Sequence, residues 1–335
     1  MLKAVFMSQG YNRELIDSVF EQDSLNVISK YAEIYPELID SDNLEEHKEY
    51  LKDVEVAFAT WGMPMLSEEE ISQYFPKLKA VFYAAGSVQY FARPFLKKGI
   101  VVVSAWAANA IPVAEYTLAQ ILLANKGFFQ NAPRAKKDYF SAREYSRSFP
   151  GNYTVKIGIL GAGMIGTKVI ELLKPFNVQV LVYDPFLSDE RAEELGVKKA
   201  TLKEIFSQCQ TISNHIANLP ATVGMLNKEH FSCMLPNATF INTGRGAQVV
   251  EEDLIAALKE VPTRTAVLDV TDPEPPEPES EFYRMENVIL TSHIAGSMGK
   301  EIERMGCYIA EEFERYVKGE KLKYSVTLKM LETMA

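Results

Sequence analysis

The chain reads as an α/β protein built on two doubly wound parallel sheets. Three observations predict this. Short apolar runs alternate with helical stretches along almost all of the 335 residues. A glycine turn, Gly161-Ala162-Gly163-Met164-Ile165-Gly166, stands between a strand-like run and a helical one. A chain of this length is also long enough for two domains.

In the first part, Ala4-Val5-Phe6, Val54 to Ala59, Ala80 to Tyr83 and Val101 to Val103 read as strands. Between them, Ser67 to Phe75 reads as a helix, with a Ser cap and acids in its first turn. Pro112 is expected to open a long helix reaching about Phe129, apolar on more than one face, as in a helix buried between domains or subunits. Residues 131–152 turn polar, with Arg134, Lys136, Lys137, Arg143 and Arg147. They read either as a solvated connection or as a loop embracing a second subunit.

From residue 153 the alternation resumes. Val155 to Leu160, Val178 to Tyr183, Thr211 to Ser213, Thr239 to Asn242, Ala266 to Val270 and Val288 to Thr291 are strand candidates. Asp272 to Glu279 resembles a low-complexity linker in composition, but its place between two strands of one sheet argues otherwise. A Glu- and Arg-rich helix follows Ser297. The last strand of the second domain ends near His293, so that helix needs another sheet to cover. The first domain is therefore expected to be discontinuous, residues 1–104 with 298–335, and residues 105–297 form the inserted domain.

Apolar content of 47% and charged content of 24% are ordinary for a globular chain. A formal net charge of −10 argues against nucleic acid and against an anionic membrane surface. It leaves room for a small anionic substrate, because one local Arg outweighs a distant surface field. No run of 18 apolar residues is present, and Met1 to Phe6 lead straight into a strand without a cleavable signal pattern. Cys209, Cys233 and Cys307 are odd in number and widely spaced, so neither a disulfide framework nor a metal site follows. Free thiols in a reducing cytoplasm are the simplest expectation, with Cys307 packed as a small hydrophobe.

The glycine turn carries the first chemistry. Gly161 permits a tight turn, Gly163 lets backbone approach a pyrophosphate, and Gly166 lets the helix pack close to the strand. Met164 and Ile165 begin that helix, whose free N–H groups and positive dipole end suit phosphate. Asp184, eighteen residues past Gly166 at the end of the next strand, is placed to bond a ribose diol. Strand, turn, helix, strand and acid together point to a dinucleotide, and an unpaired acid there favours NAD over its 2′-phosphate.

Three further segments lie at strand ends, where open α/β sheets bind ligands. In Asn242-Thr243-Gly244-Arg245-Gly246, an Arg between glycines offers a bidentate fork suited to a carboxylate, or is a surface Arg in a turn. Glu274 stands in the Pro-rich loop. In Thr291-Ser292-His293-Ile294-Ala295-Gly296, a His past a strand reads as a general acid/base or as a structural His.

Taken with Tyr183-Asp184-Pro185, Leu268-Asp269-Val270 and Asn109 to Glu115, these segments resemble the D-isomer-specific 2-hydroxyacid dehydrogenase family over nearly the whole chain. The resemblance implies a Rossmann-type NAD-binding domain inserted into a flavodoxin-like substrate domain. It implies that Arg245 holds the substrate carboxylate and carbonyl, that His293 is the acid/base and that Glu274 is its partner. Thr243 and Asp269 would contact the cofactor, Asp269 at the nicotinamide carboxamide. Ala85 and Gly86, in a glycine-containing turn, would meet the substrate carboxylate. Pairing of two copies through the NAD-binding domain is implied as well. The chain departs from the family pattern at Ser292, where Pro is usual, and at His215-Ile216-Ala217-Asn218-Leu219, which lacks the usual Pro and Thr. His215 is therefore expected to be structural, and His230 exposed. Trp61, Tyr83 and Trp106 either line a substrate pocket or pack in the core. The rival from another class is a non-catalytic NAD(H)-sensing interaction protein on the same fold.

Overall fold

A computed structural model describes residues 1–334. The chain divides into two compact units, Met1–Ala110 with Ser297–Ala335, and Ile111–Gly296.

The first unit holds β1 (Leu2–Met7), β2 (Ala32–Ile39), β3 (Val56–Ala59), β4 (Ala80–Tyr83), β5 (Val101–Ser104) and, from the end of the chain, β13 (Ser325–Val326). Their order is β13-β5-β4-β3-β1-β2, parallel except for β13. The run 2-1-3-4-5 is the flavodoxin-like order. Strand periodicity sorts the core onto two faces. Ala4, Phe6, Val56, Phe58, Ala80 and Phe82 lie on one, and Val5, Met7, Ala57, Ala59, Val81 and Tyr83 on the other. The helix Glu301–Val317 covers the first face, with Phe313 edge-on to Phe58 at 5.1 Å and to Phe82 at 5.3 Å. A side chain on Gly306 would put its Cβ 2.0 Å from the Val19 carbonyl, so this helix meets its neighbour backbone to backbone.

The second unit holds β6 (Lys156–Leu160), β7 (Gln179–Tyr183), β8 (Lys198–Lys199), β9 (Thr211–Asn214), β10 (Thr239–Asn242), β11 (Thr265–Leu268) and β12 (Val288–Leu290). The sheet is wholly parallel, ordered β12-β11-β10-β9-β6-β7-β8. Its direction of winding reverses between β6 and β9, the point at which a doubly wound sheet opens a ligand crevice.

Four expectations change. The long helix runs Trp106–Asn125 and does not open at Pro112, which lies inside it. Pro112 has no N–H to give the Ala108 carbonyl, and this missing bond falls beside the boundary between the units. Residues 131–152 are largely helical, in Phe128–Lys137 and Tyr139–Tyr145, with Asp138 capping the second through the N–H groups of Phe140 and Ser141. Cys307 is exposed on its helix, not packed. His230 is half-buried against Phe206, at 5.5 Å between rings. Among the described residues, no helix is long and apolar enough to cross a membrane.

Candidate active site

The glycine turn follows β6 directly. Gly161 has φ +87°, and a Cβ there would stand 2.8 Å from the His215 carbonyl. At Gly166 a Cβ would stand 1.9 Å from the Gly161 carbonyl. Gly163 is different, because nothing lies within 4 Å of its missing side chain. Two glycines are thus demanded by packing and the middle one leaves open space. The helix Met164–Leu173 has no side-chain cap, and the N–H groups of Met164 and Ile165 have no acceptor among the described residues. An open backbone and uncapped donors fit a pyrophosphate. At the end of β7, Asp184 accepts from Ala162 N at 2.7 Å and Phe186 N at 2.8 Å, which fixes its carboxylate beside the turn.

On the same unit, His293 and Glu274 meet. His293 Nδ1 donates to Glu274 Oε1 at 2.7 Å, which leaves Nε2 free. About 40% of each side chain is exposed, enough for a small molecule to reach the ring. Arg245 is mostly buried. Burial pulls its guanidinium below the ordinary arginine range, and the negative Glu274 opposes that shift. Arg245, Glu274 and His293 therefore share one electrostatic neighbourhood. Arg245 Nη1 donates to the Gly244 carbonyl at 2.7 Å. Its flanking Gly246 is enforced by packing, since a Cβ there would fall 1.9 Å from the carbonyl carbon of Thr271.

His293 adopts φ +58°, a left-handed conformation that is strained for any residue with a Cβ. Asp269, only 2% exposed, holds it there. Its Oδ1 accepts from Thr291 Oγ1 at 2.7 Å and Ile294 N at 2.8 Å, and its Oδ2 from Ala295 N at 2.9 Å. Its carbonyl accepts from His293 N at 3.1 Å. The sequence marks Asp269 only as a cofactor contact, whereas the structure shows its carboxylate clamping the turn that presents His293. A lone pair on Oδ2 is still available to a ligand amide.

A second buried set was not legible in the sequence. Asn214 Nδ2 donates to Asn242 Oδ1 at 3.0 Å and Gln248 Oε1 at 2.6 Å, and Gln248 Nε2 donates to the Ile216 carbonyl at 2.6 Å. Asn242 Nδ2 donates to the Arg245 carbonyl at 3.1 Å, so the network anchors the turn bearing Arg245. The Thr243 hydroxyl points inward, 3.4 Å from both His215 Nδ1 and Thr117 Oγ1. His215 is buried, with Nε2 at 3.0 Å from Ser213 Oγ, and desolvation pushes its pKa down to about 3. Its folded pKa lies below the ordinary 6.5, so its contribution to stability is complete above pH 6.5 and is lost as pH falls toward 3. Replacing His215 by Asn should shrink the drop in unfolding free energy between pH 7 and pH 5 by about 2 kcal/mol. Urea unfolding at the two pH values measures this, and equal drops in both proteins would contradict it.

On the first unit, the turn after β4 holds Ala85 and Gly86. Ser104 Oγ lies 2.8 Å from the Ala85 carbonyl and 2.6 Å from the Gly86 carbonyl. The N–H groups of Gly86 and Ser87 have no acceptor among the described residues. A turn with its carbonyls engaged and its donors free suits an anion. Tyr83 is buried, Trp106 packs edge-on to Tyr324 at 5.9 Å, and Trp61 is 37% exposed.

The fold and the open glycine turn define a doubly wound dinucleotide-binding protein. Residues 118–295 match the family described as D-isomer specific 2-hydroxyacid dehydrogenase, NAD binding domain. The chain is 30% identical to a D-3-phosphoglycerate dehydrogenase of Haemophilus influenzae, over 92% of this chain and 73% of that one. Similar proteins of the same description come from Archaeoglobus fulgidus, at 32% identity over 70% of this chain and 44% of that one, and from Methanocaldococcus jannaschii, at 29% over 91% and 57%. The chain thus spans about half the length of these two archaeal relatives. In fold it is similar to apo D-mandelate dehydrogenase of Rhodotorula graminis, with a TM-score of 0.81 and 20% identity over 97% of this chain and 98% of that one. It is also similar to an NAD complex of a D-isomer specific 2-hydroxyacid dehydrogenase from Lactobacillus delbrueckii ssp. bulgaricus, with a TM-score of 0.76 and 18% identity over 97% and 100%. The chain belongs to the D-isomer-specific 2-hydroxyacid dehydrogenase family, and its second unit carries that family's NAD-binding domain.

Proposed function

We propose that the protein is an NAD-dependent oxidoreductase interconverting a D-2-hydroxy acid and its 2-keto acid. The observation that carries this reading is the 2.7 Å pairing of His293 with Glu274, on the unit that bears the open glycine turn. NAD, when bound, exchanges a hydride with C2 of the acid. The rest of the chemistry falls to side chains. The uncapped N–H groups of Met164 and Ile165, with Gly161, Gly163 and Gly166 leaving room, would hold the pyrophosphate, and Asp184 the ribose diol. Thr243 and Asp269 complete the proposed cofactor contacts. His293 takes the hydroxyl proton at Nε2 in oxidation and returns it in reduction. Glu274 fixes the ring and stabilises the imidazolium. Arg245 binds the carboxylate and stabilises charge on the carbonyl oxygen. On the first unit, the free N–H groups of Gly86 and Ser87 offer donors to an anionic ligand. The test is NADH oxidation followed by absorbance over a panel of 2-keto acids. Binding of NADH without turnover of any of them would favour a sensing role instead.

The reading includes a homodimer formed through the NAD-binding unit. Phe128, Tyr139, Phe140 and Tyr153 of that unit are 48%, 64%, 79% and 71% exposed, an apolar surface that a second copy would cover. Sedimentation at micromolar concentration should show a species of about twice 37.7 kDa. A 37.7 kDa species alone would rule the pairing out.

A further inference from the structure

Glu274 must be held if it is to hold His293, and its loop has few ties. Asp272, Pro273, Glu274 and Pro275 are all exposed. Four of the eight residues from Asp272 to Glu279 are prolines, which have no N–H to give. Of the four N–H groups that remain, only that of Asp272 has an acceptor among the described residues. The acceptor is the Glu251 carboxylate, with Oε1 at 2.9 Å from Asp272 N. Two side chains donate to carbonyls of the loop, Thr271 Oγ1 to Pro273 at 2.8 Å and Tyr283 Oη to Pro276 at 3.2 Å. Both donors lie in the same connection between β11 and β12, so neither ties the loop to another part of the unit.

Glu251 opens the helix Glu251–Glu260, which follows the turn bearing Arg245. That turn meets the same peptide. A Cβ on Gly246 would fall 1.9 Å from the Thr271 carbonyl carbon and 2.5 Å from Asp272 N. Gly246 and Glu251 therefore grip the Thr271–Asp272 peptide together. An acid in the first turn of a helix favours the helix on its own account, but the exposed Glu252 would serve that end as well. Glu251 is instead half-buried, and its one hydrogen bond among the described residues goes to Asp272 N. Burial raises its carboxyl above the ordinary glutamate range, the Asp272 N–H opposes that shift, and the Asp272 carboxylate adds to it. The charge sits where it is disfavoured, and what it holds there is the base of the Glu274 loop.

We infer that Glu251 is a positioning residue, which holds the Asp272 peptide so that the Glu274 carboxylate meets His293 Nδ1. This rests on the proposed role of His293 and deepens it. All of these residues lie in the unit Ile111–Gly296. Glu251 acts through Glu274, which keeps the ring proton on Nδ1 and leaves Nε2 for the reaction. It also joins the Arg245 turn to the Glu274 loop, so the two keep one register.

The experiment uses the full chain with 15N-labelled histidine, the His293 signals being those lost in His293→Gln. Nitrogen chemical shifts read which ring nitrogen of the neutral imidazole carries the proton. The unaltered protein should carry it on Nδ1, as the Glu274 pairing requires. Glu251→Ala should move most of it to Nε2, as Glu274→Ala should. Glu251→Gln, whose side-chain carbonyl can still accept from Asp272 N, should return it to Nδ1. Turnover should follow the same order, with NADH and the fastest of pyruvate, phenylpyruvate, 4-methyl-2-oxopentanoate and 3-phosphohydroxypyruvate. Glu251→Ala should lower kcat about 10- to 100-fold, the scale of a misplacement near 1 Å, and leave NADH affinity unchanged. In a Glu274→Ala background the same change should cost less than about twofold more, because the two residues act as one. Glu252→Gln should change nothing. A proton that stays on Nδ1 in Glu251→Ala, or equal losses of kcat in the two backgrounds, overturns the inference and leaves the hydride-transfer reading standing. Failure of Glu251→Ala to fold overturns it too, since the acid would then serve the whole unit. The shift from Nδ1 to Nε2 in a protein that turns over none of the acids upholds the tether and overturns the hydride-transfer reading.

Discussion

Replacing His293 by Gln is expected to lower turnover by roughly 10²–10⁴-fold, the range a positioned acid/base contributes. NADH affinity should stay close to that of the unaltered protein. Among the four histidines, His293 alone combines an exposed ring with a carboxylate partner, Glu274 at 2.7 Å. His215 is buried between two hydroxyls, and its pKa near 3 keeps it neutral at any working pH. His47 is engaged with Tyr35 Oη at 3.0 Å, and His230 lies against Phe206. Gln cannot shuttle a proton, yet it fills similar space and can still donate to Glu274. Thermal melting checks that the strained turn at residue 293 survives the change. Near-normal turnover in a folded His293→Gln protein would remove it from the reaction.

Gly166→Ala should nearly abolish NADH binding, by 100-fold or more, and destabilise the protein by roughly 2–4 kcal/mol, the scale of severe overpacking. The added Cβ would stand 1.9 Å from the Gly161 carbonyl, and backbone on both sides leaves no flexible group to move. Gly163→Ala separates binding from stability. Its Cβ meets nothing within 4 Å and its φ of −67° suits any residue, so the protein should melt normally. The methyl group would occupy the space assigned to the pyrophosphate, and NADH affinity should fall about 10-fold. NADH titration by fluorescence, together with melting, reads both effects. Unchanged affinity in Gly163→Ala would mean that the dinucleotide lies elsewhere.

The two sheets were legible because many of their inner strands are continuous apolar runs, such as Val56–Ala59 and Ala80–Tyr83, which parallel sheets covered on both faces require. The strand Ala32–Ile39 was missed. It contains Pro36 and alternates poorly, which an edge strand tolerates because one side has no ladder to complete. Likewise, the two-residue strands at 198–199 and 325–326 are too short to carry a period. Polar composition hid the helices in 128–145, because their pattern sits among basic residues. At the candidate site, Arg245, Glu274 and His293 stood out by residue type and position at strand ends. The residues that hold them did not. Asp269 clamps a turn beginning 22 residues later in the chain, and Asn214 bonds Gln248 across 34 residues. Such contacts depend on sheet order, which no local pattern encodes.

The nesting of one unit inside the other sets a schedule for synthesis. The aromatic face of Phe58 and Phe82 is complete once the first hundred residues have been made, but Phe313, which covers it, emerges more than two hundred residues later. At ordinary ribosomal speed this interval is on the order of 10–40 s. Meanwhile the unit Ile111–Gly296 is made without interruption and can fold as it emerges. The segment made first is therefore the last to be sealed, and its bare aromatic face is where a nascent chain would call on a chaperone.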